Sequence, residues 1–110
     1  MMGKWTRLTE YDDLIGRGVV IRSPSGGLYE DYVDIIIFDP LDRDKGMGAL
    51  VISGHKAGMY LSIFPAESTE GRCLKKSWVV SNWQRWFFPG VDVGDVYCSK
   101  ILPPSSLPKG

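Results

Sequence analysis

The apolar pattern of this 110-residue chain changes its period once, and that change limits the architectures open to it. As far as Pro65 the apolar residues alternate, or run in short β-branched and aromatic blocks bounded by Gly, Pro, Ser and Asp, which is the pattern of strands. Beyond it, Trp78, Val79, Asn82, Trp83, Trp86 and Phe87 recur at helical spacing and share one half of a helix, with Ser77, Ser81, Gln84 and Arg85 on the other. Several strands and one amphipathic helix define an α+β chain, in which the helix buries its aromatic side against a sheet. Each aromatic buries ~150–250 Å², so at ~25 cal/mol per Å² that contact supplies several kcal/mol.

Five strands are expected. Gly18–Arg22 is the first, stopped by the turn residues Ser23-Pro24-Ser25-Gly26-Gly27. Tyr32–Phe38 is the second, with Val33, Ile35 and Ile37 on one face and Tyr32, Asp34, Ile36 and Phe38 on the other, so it reads as an interior strand. Ala49–Ser53 and Met59–Phe64 form a hairpin across Gly54-His55-Lys56-Ala57-Gly58, whose end glycines permit positive φ. The helix starts at Ser77, whose hydroxyl suits an N-cap, or nearer Arg72, and it stops before Pro89-Gly90. A return strand spans Asp95–Ile101. The expected plan is an antiparallel sheet of about five strands with one tryptophan-rich helix on one face. A single globular domain occupies 1–101, and a proline- and serine-rich tail occupies 102–110.

Composition removes several classes of function. No apolar run exceeds four residues, far short of the ~18 needed to span a bilayer, and no apolar segment follows the cations Lys4 and Arg7 as in a secretory signal. The expected location is the cytoplasm. Thirteen basic and thirteen acidic residues cancel, so no uniformly positive field exists to hold nucleic acid through its phosphates. Cys73 and Cys98 form neither a disulfide framework nor a CxxC metal site and read as reduced thiols.

No cofactor, metal or catalytic constellation stands out. His55 is the only histidine, with Ser53 two residues away in a turn, and no GxSxG or HExxH spacing accompanies it. A small hydrolase using His55 is one alternative function; a single-stranded nucleic-acid binder using Trp78, Trp83 and Trp86 as a stacking platform is another. Asp42-Arg43-Asp44-Lys45-Gly46 opens like a calcium loop, but from Asp42 the fifth and twelfth positions hold Gly46 and Ser53 instead of oxygen ligands. The net charge conceals an asymmetry. From Leu8 to Asp44 nine acids face three bases, and Glu30, Asp31 and Asp34 precede or enter the second strand while Asp39, Asp42 and Asp44 follow it. Such acids are either an ordinary solvated surface or a negative patch that captures a basic protein.

Ser53-Gly54-His55-Lys56-Ala57-Gly58, Pro65-Ala66-Glu67-Ser68, Trp78, Asn82-Trp83, Trp86, Pro89 and Asp95-Val96-Tyr97 together resemble the bacterial immunity protein 45 family, as do Arg17-Gly18 and Tyr29–Asp34. The resemblance runs from about Asp13 to Lys100. It implies an immunity protein of a polymorphic toxin or contact-dependent growth inhibition system, one that binds the C-terminal domain of a cognate toxin and catalyses nothing. Many such toxins are nucleases with basic clefts, so the expected action is to cover the active site or the substrate surface. The residues expected to meet the toxin are Tyr29, Glu30, Asp31, Asp34, Asp39, Asp42 and Asp44, with Tyr29 or Tyr32 as aromatic anchors. No membrane and no direct nucleic-acid partner is expected.

Overall fold

The computed structural model describes residues 5–25 and 31–100. Among these, nine strands form two antiparallel sheets. The strands are β1 (Thr6–Arg7), β2 (Leu14–Ile15), β3 (Val19–Pro24), β4 (Tyr32–Phe38), β5 (Lys45–Val51), β6 (Tyr60–Pro65), β7 (Thr69–Glu70), β8 (Cys73–Lys75) and β9 (Tyr97–Lys100). The large sheet has the order β1-β9-β3-β4-β5-β6 and the small one β2-β8-β7. The α+β expectation fits in outline, with β4 interior between β3 and β5. The domain boundary and tail expected around residue 101 lie outside the described residues.

Registers assign the faces of the large sheet, because side chains alternate along each strand and paired residues share a side. The inner face carries the row Thr6, Cys98, Ile21, Ile35 and Val51. Cys98, Ile21, Ile35 and Val51 of this row join one buried cluster with Leu74 of the small sheet and with Val79, Trp83 and Phe87. The outer face carries three rows: Tyr97-Arg22-Asp34, then Ser99-Val20-Ile36-Leu50-Tyr60, then Phe38-Gly48-Ile63. Gly48 is required in the last row, since a Cβ there would stand 2.5 Å from Cζ of Phe38, whose ring lies across it.

The single tryptophan-rich helix expected from residue 77 is two short helices, α1 (Lys76–Ser81) and α2 (Trp83–Trp86). Asn82 divides them at φ −112° and ψ 13°. Its side-chain amide donates to the Trp78 carbonyl at 2.9 Å, a local bond that competes with regular helix geometry. Ser77 does not cap α1; Lys75 occupies that position without a side-chain hydrogen bond. The aromatic face still packs inward. Trp83 and Phe87 stack with ring centroids 4.6 Å apart, while Trp78 and Trp86 close around Phe64 at 5.8 and 6.0 Å. The tryptophans are therefore packing residues, and the stacking-platform alternative loses its exposed indoles.

The first strand runs on through Ser23 and Pro24, which pair with Val33 and Tyr32 instead of turning, and the strand expected at 49–53 is Lys45–Val51, ending two residues earlier and starting four sooner. The remaining differences are short elements. β1, β2, β7 and β8 have two or three residues each, too few for a period to register in sequence. The return strand begins at Tyr97 because Asp92 accepts the Gly94 N–H and turns 93–95 into a 3-10 helix. Among the described residues no helix is long and apolar enough to cross a membrane.

Candidate functional site

β4 joins the two groups of acids singled out in the sequence and also keeps them apart. Asp31 immediately precedes it and Asp39 immediately follows. At ~3.3 Å per residue its seven residues separate the groups by about 20 Å, so they occupy opposite ends of the sheet instead of one patch. Tyr29 and Glu30 lie outside the described residues.

At the first end Asp34 is neutralised within the fold. Its carboxylate accepts Nε and Nη2 of Arg22 at 2.8 and 2.9 Å, the paired geometry that a planar guanidinium favours. Arg22 also lies 4.5 Å from the Trp5 ring centroid and 5.6 Å from that of Tyr32. The bond to Asp34 pushes the Arg22 pKa further up, so this cation stays charged. The Asp34 backbone N–H donates to Ser53 Oγ at 2.9 Å, and the Ser53 hydroxyl thereby ties the hairpin to β4. Tyr32 remains half exposed beside this group, as an anchor requires.

The second end is organised by Asp39. Its carboxylate accepts Nη2 of Arg72 at 2.7 Å and the Leu41 backbone N–H at 2.7 Å, while Arg72 Nη1 donates to the Lys45 carbonyl at 3.0 Å. The Arg72 hydrogen bond, then the Leu41 N–H, hold the Asp39 carboxyl below its ordinary range. Leu41 and Arg72, at φ 61° and 59°, are the non-glycine residues with left-handed backbone among those described, and one carboxylate grips both. The result is a braced loop from Asp39 to Asp44 that displays Leu41 at 84% exposure. Asp42 accepts the Asp44 N–H at 2.9 Å, and both side chains, like that of Asp31, are exposed and make no ion pair among the described residues. Concave surfaces of about 380 and 560 Å³ adjoin the Asp39–Arg72 pair.

His55 is exposed at the hairpin tip, where Gly54 and Gly58 take φ 78° and 96° as expected. No group of three or more metal-ligating side chains occurs among the described residues. Cys98 is sealed into the inner face, and burial pushes its thiol up to about 12, so it is a poor nucleophile at neutral pH. Arg22, Arg72 and Leu41 were not singled out by the sequence. Positive φ in a leucine and pairing across 12 or 33 positions leave no local mark.

The large sheet is thus covered on one face and carries a braced, exposed loop, 39–44, after its interior strand. The Immunity protein 45 family model matches residues 8–98, and the chain belongs to that family. No match to the chain was found among curated proteins or among solved structures.

Proposed function

We propose that this immunity protein binds the C-terminal domain of a cognate toxin and neutralises it by covering its active site or substrate surface, the toxin being a nuclease with a basic cleft. The observation that carries this reading is the family match across residues 8–98, which implies a toxin partner. The contact surface comprises Tyr29, Glu30, Asp31, Asp34, Asp39, Asp42 and Asp44. Within it the roles differ. Asp31, Asp42 and Asp44 present unneutralised carboxylates that steer a basic partner, while Asp34 and Asp39 hold Arg22 and Arg72 in place and so shape the surface. The protein acts by binding alone, in the cytoplasm, on a toxin that has entered.

Protection of cells expressing the toxin domain encoded by the adjacent upstream reading frame tests the reading. Cells must survive with this gene and die without it; equal survival overturns the proposal. Steering is tested with the double variant Asp42→Lys/Asp44→Lys. Association with the toxin domain slows by about tenfold at low ionic strength and returns toward the wild-type rate in ~0.5 M salt, where the Debye length falls below ~5 Å. An unchanged association rate at low salt removes the steering role.

A further inference from the structure

The two edges of the large sheet are protected to different degrees. β1 is two residues long and carries Arg7. β6 is six residues long, Tyr60-Leu61-Ser62-Ile63-Phe64-Pro65, contains no charge, and among the described residues pairs with β5 alone. An uncharged edge strand of this length offers unpaired N–H and C=O groups as a template for another strand, and natural proteins ordinarily blunt such edges with charge or brevity. What limits it is Pro65 and two register shifts, between Lys45 and Gly48 and between Ala49 and Leu50; residues 60–64 remain without a charge along the edge.

A second observation falls on the same strand. Burial along the outer row declines from Val20, fully buried, through half-buried Ile36 and Leu50 to Tyr60 at 66% exposure. Ile63 in the next row is 36% exposed, and Ile52, one residue beyond β5, is 39%. Exposed apolar residues are ordinarily scattered singly, whereas these cluster on one hairpin. Ile52 donates its backbone N–H to the Asp34 carbonyl, so the strip continues directly into the end of β4 that bears Asp31, Tyr32 and Asp34.

We propose, on the basis of the toxin-binding reading above, that the toxin docks on β6: an extended segment of the toxin pairs with the free edge as an added strand and sets apolar side chains against Tyr60 and Ile63. Strand addition of this kind takes affinity from backbone hydrogen bonds and specificity from alternate side chains. The area argues for a toxin in preference to a second copy of this chain. Tyr32, Ile52, Tyr60 and Ile63 together expose on the order of 400 Å², short of the ~800 Å² per partner that a stable dimer uses. A toxin that also engages the exposed acids Asp31, Asp42 and Asp44 of the proposed contact surface adds area beyond this strip.

The test uses the full chain and the inactivated toxin domain from the adjacent upstream reading frame, with affinity, light scattering and amide hydrogen exchange as readouts. Tyr60→Lys and Ile63→Lys each weaken binding by roughly 30-fold or more, and amides 60–64 exchange more slowly in the wild-type complex. Should Ile63→Lys fail to fold, Tyr60→Ala, at the more exposed position, carries the same test with roughly a tenfold loss. Wild-type affinity in these variants overturns docking on β6 and leaves the toxin-binding reading intact. Lost affinity without slowed exchange at 60–64 overturns the added strand. A concentration-dependent dimer that Tyr60→Lys dissolves assigns the edge to a second copy and overturns the toxin as its occupant. A wild-type chain that neither binds nor protects overturns the toxin-binding reading and this proposal with it.

Discussion

Ile35 and Ile36 are adjacent in β4 and chemically identical, yet Ile35 is sealed against the core while Ile36 is half exposed in a row that ends in open Tyr60. The inner face of the sheet is covered by Trp83, Phe87, Val79 and Leu74; on the outer face similar residues meet less protein toward β6. Burial belongs to a position in the sheet, and apolarity alone does not assign it. An antiparallel sheet with one solvated face ordinarily alternates apolar and polar residues, and the apolar residues retained on the open side are the ground for the docking proposed above.

If the inner face carries the stability, its centre should be the costliest place to alter. Trp83→Ala removes a side chain that is 1% exposed and stacked on Phe87, and it should lower unfolding free energy by about 3–5 kcal/mol in urea titrations. A loss below 1 kcal/mol would mean that the helices contribute little to holding the sheet. Alkaline pH probes the same face through Cys98. Its thiol is raised from 9.0 to about 12 in the folded chain, so above pH 9 the unfolded chain deprotonates first and is favoured. Stability contributed by the neutral thiol is intact below pH 9 and is lost progressively as pH rises toward 12, by on the order of 3 kcal/mol. Cys98→Ala should flatten that part of the pH profile, and an unchanged profile would place the thiol nearer water.

The outer face should respond less. Gly48→Ala forces Phe38 off the strand and should cost about 1–3 kcal/mol, since the half-exposed ring has room to move. Tyr60→Ala should change stability by less than about 0.5 kcal/mol, because the side chain is mostly in water already. A destabilisation as large as that of Trp83→Ala would show that the outer strip is a second core, and the contrast between the faces would disappear.

Much of the fold was legible where a pattern is long enough to repeat. β4 runs from Tyr32 to Phe38 as its two apolar faces imply, the glycines flanking 55–57 take positive φ, and the aromatic stripe from Trp78 to Phe87 points inward. The break at Asn82 was hidden because it lies at one residue, whose side-chain amide and backbone N–H both bond the Trp78 carbonyl while the apolar spacing runs on unchanged. At the candidate site, local composition identified the acids but not their state. Asp34 and Asp39 are neutralised by Arg22 and Arg72, partners that only the register of β3 with β4 and the turn between β7 and β8 bring near.

The sequence by itself determined the α+β class, the central strand, the hairpin and the family, because periodicity, turn glycines and motif spacing are properties of neighbouring residues. Tertiary structure alone decided which acids are paired with arginines, which face of the sheet is covered and that β6 lies at its edge among the described residues. Those outcomes depend on strand order and on contacts between residues far apart in the chain, and no local pattern encodes which strand ends up without a neighbour.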